Sequence, residues 1–117
     1  MLFLRSTGNY PTSAGAISGS VSGAGDWYSK TVTVSTGFNT KKIYFVNMTA
    51  TVDSVNPLSA VSFSGATTLW QAIHALKNQR DYTAFIQPTS STIVMTISSP
   101  YANTDRYYYW AFYPYRD

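Results

Sequence analysis

From Trp27 onward, apolar side chains recur at every second position within short runs, and turn-forming residues separate the runs. Alternation of period two sends one face of an extended strand into a core and the other into water, which a helix cannot do. "WYSKTVTVS" sets Tyr28, Val32 and Val34 against Trp27, Thr31 and Thr33. "TGFNTK" follows as a turn, with Gly37 and Asn39 suited to unusual dihedral angles. In "KIYFVNMTATVD", Tyr44, Val46, Met48, Ala50 and Val52 share a core face. The other face starts with Ile43 and Phe45 and turns polar at Asn47, Thr49 and Thr51.

"NPLSAVSFSG" offers a shorter strand with Val61 and Phe63, ended by Gly65. The next segment breaks the alternation. In "TTLWQAIHALKNQR", Leu69, Ile73 and Leu76 follow the i, i+4, i+7 rule beside Trp70, with Thr67 or Thr68 able to cap. This spacing predicts one short helix near 67–80. "DYTAFIQ" then sets Tyr82, Ala84 and Ile86 against Thr83, Phe85 and Gln87. "TIVMTISS" sets Ile93, Met95 and Ile97 against Thr92, Val94, Thr96 and Ser98. "PTSS" precedes it and "PYANTD" follows it as turns. Strands at this spacing predict an all-β fold: an antiparallel β-sandwich or jelly roll of six or seven strands with one helix.

A single domain is expected over residues 27–117, long enough to bury a core without staples. Residues 1–26 are read as a Gly/Ser-rich arm or edge segment, in which Ile17 and Val21 allow a short strand. The opening "MLFLRS" is a poor signal peptide, because Arg5 follows its short apolar stretch rather than preceding a longer one. It reads as a first strand or an arm of a protein made and assembled inside a cell. No segment is long and apolar enough to span a membrane.

Composition narrows the chemistry. Only 11% of residues are charged and glutamate is absent, so Ser and Thr supply the polar surface, as on half-buried strands. The eight basic residues are scattered, with only Lys41 and Lys42 adjacent, which argues against nucleic acid as a partner. With no cysteine, disulfides and thiolate metal sites are excluded. His74 is the one histidine, and no nucleophile-elbow motif accompanies it. Asp53, Asp81 and Asp105 sit at strand ends or turns, where aspartate commonly serves turn geometry. "GSVSGAG" lacks the Lys and the strand–loop–helix context of a phosphate-binding loop. No catalytic residue, cofactor or metal is therefore expected.

The chain closes with "RYYYWAFYPYRD", in which seven of twelve residues are aromatic. On a strand these rings divide. The even positions, Tyr108, Trp110 and Phe112, hold this segment's Trp and Phe and are the candidate core aromatics. Each such ring buries roughly 150–250 Å², worth about 4–6 kcal/mol before entropy is subtracted. The odd positions, Tyr107, Tyr109, Tyr113 and Tyr115, surround Ala111 and form the candidate interface. Tyrosine suits a half-wet face, with a packed ring and a hydroxyl that reaches water or a partner.

Three stretches resemble small structural domains of tailed-bacteriophage virions. "KTVTVSTGFNTKKIYFVN" resembles their pattern of a strand, Gly-Phe, a short Lys-bearing turn and a hydrophobic strand. "STIVMTISS" resembles a later strand, and "RYYYWAFYP" their closing strand. The resemblance covers about residues 27–117, less clearly over 66–80, and departs at Asn39-Thr40, where Pro before the Lys is more usual. It implies a virion β-sandwich and carries no catalytic residues. A short chain beginning at Met1, with no attachment shaft, suits a capsid decoration or cement protein better than a tail fibre. Such proteins commonly form homotrimers on the major capsid protein lattice, and other virion or tail proteins are further possible partners. The alternative is a tail-fibre or receptor-binding domain that recognises host-surface carbohydrate.

Overall fold

The structure is a computed structural model, and it describes residues 11–23, 27–51, 60–75, 79–103 and 106–115. Its elements are all strands: β1 (Ile17–Gly23), β2 (Trp27–Ser35), β3 (Tyr44–Thr51), β4 (Ala60–Ser64), β5 (Ala66–Ala75), β6 (Gln79–Pro88), β7 (Ile93–Asn103) and β8 (Arg106–Pro114). Five strands form one antiparallel sheet in the order β1-β8-β3-β6-β5, and three form a second in the order β2-β7-β4. The two sheets pack face to face as a β-sandwich.

The alternation of the sequence builds the core directly. From the five-stranded sheet come Val46 and Met48 of β3, Tyr82, Ala84 and Ile86 of β6, and Tyr108 and Phe112 of β8, all at 0% exposure. Facing them are Ile93, Met95 and Ile97 of β7, with Val61 and Phe63 of β4 and Val32 and Val34 of β2. Phe38, in the turn after β2, closes one end. Its ring meets Tyr44 at 5.0 Å and Phe112 at 5.3 Å, both edge to face. Asn39 holds that turn: its side-chain Oδ1 accepts from the Lys41 N–H at 2.9 Å, and its own N–H donates to the Tyr44 hydroxyl at 3.0 Å. An Asx turn thus forms at Asn39.

Two expectations are corrected. Residues 66–75 are not helical; they form β5, an edge strand paired with β6. The reason is a bulge. Thr68 pairs with Ile86 and Trp70 with Phe85, so Leu69 is an extra residue. One inserted residue shifts the apolar phase from even to odd spacing, and Leu69, Trp70 and Ile73 then mimic a helical stripe. β-branched Thr67, Thr68 and Ile73 and aromatic Trp70 suit the extended backbone. Second, "PYANTD" is not wholly a turn, since β7 continues through Asn103 and pairs it with Trp27.

Part of the Gly/Ser-rich segment is ordered sheet. β1 pairs with β8 from Ile17↔Phe112 to Gly23↔Arg106, and Pro11 bridges Tyr115 beyond it. Glycine matters at one point of this ladder. The Trp110 indole lies over Gly19, where an added Cβ would come within 2.8 Å of the ring. Residues 1–10 lie outside the described residues.

Candidate functional site

The register defines the outer face of the five-stranded sheet row by row, because directly paired residues point to the same side. One row runs Ser20–Tyr109–Thr49–Asp81–His74 across β1, β8, β3, β6 and β5. The next runs Ser18–Ala111–Asn47–Thr83–Ala72. The third is Tyr113–Phe45–Phe85–Trp70. Rows lie about 6.7 Å apart along the strands, and strands about 4.8 Å apart. The face is therefore a band of aromatics beside a floor of short neutral side chains, with Tyr109 standing at the far side of that floor.

The aromatic band packs against itself. Phe45 and Phe85 lie 5.3 Å apart, Phe45 and Tyr113 6.3 Å, Trp70 and Phe85 5.7 Å, and Phe85 and Tyr115 5.9 Å. Phe85, at the centre, is only 1% exposed although it points away from the sandwich core. The sheet thus carries a second, smaller apolar cluster on its outer side.

This cluster decides where the terminal tyrosines go. Tyr109 is 53% exposed, with Thr49 as its β3 neighbour. Tyr113 is half-buried beside Phe45. Tyr115 is buried, packed on Phe85 and bridged to Pro11, and burial pushes its hydroxyl pKa up to about 12. It therefore leaves the candidate interface. The backbone of Tyr107 pairs with Thr51 and Ser22, and its side chain lies outside the described residues. On the opposite face of β8, Tyr108 and Phe112 are fully buried and Trp110 is 7% exposed. The indole Nε1 of Trp110 has no hydrogen-bond partner among the described residues.

Sequence reasoning missed the exposed apolar residues of β5. Leu69, Trp70 and Ile73 are 52%, 45% and 39% exposed. The signal was present in the lack of any charged residue between Ala66 and Ala75, but the helical reading assigned those side chains to a buried stripe. Below β5, the inner-face residues Gln71 and Ile73 line an open cleft with Ala60 and Val61 of β4, about 280 Å³ in volume. Gln71 is anchored there, its Oε1 accepting from the Tyr82 hydroxyl at 2.8 Å. Burial pushes the Tyr82 pKa up to about 12.

His74 sits at the exposed edge, opposite Asp81 on β6. Thr49, the next residue in that row, lies on the far side of Asp81, two strand spacings or roughly 10 Å from His74. That places its hydroxyl out of direct reach of the imidazole. Among the described residues no group of three or more His, Asp, Cys or Glu is positioned to hold a metal ion, and no helix is long and apolar enough to cross a membrane. No protein family, curated protein or solved structure matches this chain.

Proposed function

We propose that this chain is a non-enzymatic structural protein of a bacteriophage virion, made in the host cytoplasm, that docks as a trimer on the assembled capsid shell and stabilises it. The observation that carries the reading is the outer sheet face: Tyr109, half exposed, stands on a floor of Ser18, Ser20, Asn47, Thr49, Thr83 and Ala111 in which Asp81 is the one formal charge among the described residues. A face with a single formal charge and a protruding tyrosine loses little in desolvating ions and gains aromatic area with few rotors. A protein that binds only the intact shell shifts the equilibrium toward it, and three linked copies make weak single contacts effective.

A second reading follows from the neighbours of the same ring. Thr49, directly opposite Tyr109, and Asn47, in the next row, set hydrogen-bonding groups beside an exposed tyrosine, the combination that orients a sugar stacked on an aromatic face. One experiment separates the two: binding of the chain and of Tyr109→Ser to purified empty capsids and, in parallel, to host-envelope glycans. Saturable capsid binding that falls about tenfold or more in the variant, equivalent to about 1.4 kcal/mol, supports decoration. Glycan binding without capsid binding eliminates it in favour of receptor recognition.

A further inference from the structure

Among the described residues, β5 is a sheet edge of unusual character, pairing with β6 on one side only. Thr67, Thr68, Leu69, Trp70, Gln71, Ile73 and His74 are all exposed. Edge strands are normally blunted by lysine, by proline, by inward charges or by being short. β5 has ten residues and contains no Lys, Arg, Asp, Glu or Pro. Its one blunting device is the bulge at Leu69, which leaves Trp70–Ala75 as regular strand.

We propose that β5 pairs antiparallel with β5 of a second copy, across a twofold axis through Ala72. The strand is self-complementary about that point. Trp70, Ala72 and His74 lie on the outer face and Gln71 and Ile73 on the inner face. A twofold at Ala72 sets the two alanines together at the axis, each Trp70 opposite His74 of the second copy, and each Gln71 opposite Ile73 of the second copy. Every pair joins residues of the same face, no two formal charges oppose, and the Leu69 bulge falls outside the five-residue ladder. Moving the axis to Gln71 pulls the bulge into the ladder; moving it to Ile73 sets Trp70 opposite residue 76, past the end of β5 at Ala75.

The exposed parts of Leu69, Trp70 and Ile73 amount to roughly 250–300 Å² per copy. With the exposed parts of Thr68, Gln71 and His74, complete burial of this edge would reach on the order of 1,000 Å² in total at most, the threshold for a specific interface. The occupant is thus a second copy. The pairing goes beyond the docking proposal and needs no shell, so failure of either leaves the other standing. On a shell of trimers, it would join neighbouring trimers two by two.

The chain has no cysteine, so Ala72→Cys places a unique thiol at the axis. Directly opposed residues of an antiparallel pair have Cα atoms about 4.5–5.5 Å apart, within the range a disulfide spans. Under oxidised glutathione at micromolar protein, Ala72→Cys is expected to form covalent dimer at least about tenfold faster than Ser18→Cys, an exposed position on the opposite edge. Adding Ile73→Lys to Ala72→Cys should return the rate to that of Ser18→Cys with the melting temperature preserved. Trp70→Cys should cross-link to His74→Cys faster than either links to itself. Equal rates for positions 72 and 18, no effect of Ile73→Lys, or faster self-linking at position 70 overturns the pairing. So does a unit mass that never doubles up to about 100 μM by sedimentation equilibrium.

Discussion

Gly65 carries the chain from one sheet to the other in a single residue, since β4 ends at Ser64 and β5 begins at Ala66. Two constraints meet there. Its φ is +91°, in the region that costs an L-residue about 1–2 kcal/mol. An added Cβ would also collide with the carbonyl oxygen of Thr92. Relieving that collision moves the turn between β6 and β7, whose Thr89 and Ser90 N–H groups donate to the Gly65 carbonyl at 2.8 and 3.2 Å. Each of those bonds is worth about 1 kcal/mol net. Gly65→Ala should therefore cost about 3–5 kcal/mol, or roughly 12–20 °C in melting temperature for a domain of this size. Two other glycines separate the causes. Gly15 has φ +79°, but its added Cβ meets only Pro114 Cγ at 3.5 Å, so Gly15→Ala should cost the dihedral alone, about 1–2 kcal/mol. Gly37 has neither constraint, its nearest contact being Ser35 Oγ at 3.8 Å, and Gly37→Ala should be neutral or stabilising by up to about 1 kcal/mol. Urea unfolding followed by tryptophan fluorescence, fitted with a common slope, measures all three. If Gly65→Ala falls within about 0.5 kcal/mol of Gly15→Ala, the contact with Thr92 does not constrain the crossing and the reasoning fails.

Other outcomes follow from the same packing. Phe112→Ala should destabilise by about 3–5 kcal/mol, because Phe112 is fully buried and meets both Phe38 and Phe63 edge to face; calorimetry checks this. Tyr109→Ser should leave the melting temperature within about 3 °C of the parent chain, whereas Tyr113→Ser should lower it further by loosening the band around Phe45 and Phe85. Tyr82 and Tyr115 have folded-state pKa values raised from 10.0 to about 12 by burial. The neutral phenols favour the folded chain, so their contribution is complete below pH 10 and is lost as pH rises from 10 to about 12. Tyrosinate absorbance near 295 nm should show a late phase that coincides with loss of near-ultraviolet dichroism; two early, non-cooperative titrations would contradict it.

Much of the fold is legible in the sequence because most strands are half-buried and keep strict alternation. The face of Val46 and Met48, and that of Ile93, Met95 and Ile97, needed only the period of two. Illegible parts are those where a long-range partner overrides the local pattern. The phase shift at Leu69 depends on how β5 meets β6, and the helical spacing it lends to Leu69 and Ile73 masks the strand preference of Thr67, Thr68, Trp70 and Ile73. Phe85 alternates with the core residues of β6, yet it is buried because Phe45, Trp70 and Tyr115 come from three other segments to surround it. The same contact removes Tyr115 from the candidate interface, so the terminal tyrosines form no uniform stripe. Tyr109 stands out because its cross-strand neighbours are Ser20 and Thr49 rather than rings.

The two surfaces left exposed by this arrangement point in different directions, and that geometry has a mechanical consequence. Tyr109 projects along the normal of the five-stranded sheet, whereas the hydrogen-bonding groups of β5 point within its plane. A shell beneath the face would leave the edge uncovered, and a second copy at the edge would leave the face free. Trp70 belongs to both, since its ring packs on Phe85 and its strand forms the edge. Pairing at β5 would therefore hold the aromatic band, and through Phe45 and Tyr113 the strand that carries Tyr109, in one arrangement. Lateral pairing and face docking should then reinforce each other. Avidity alone can raise the affinity of a locked Ala72→Cys dimer for a multivalent shell by about 10²–10⁴-fold, so the coupling is read from amide exchange instead: β3 and β8 around Phe45 and Tyr113 should exchange more slowly in the locked dimer than in its reduced form. Unchanged exchange there would mean that the face and the edge act independently.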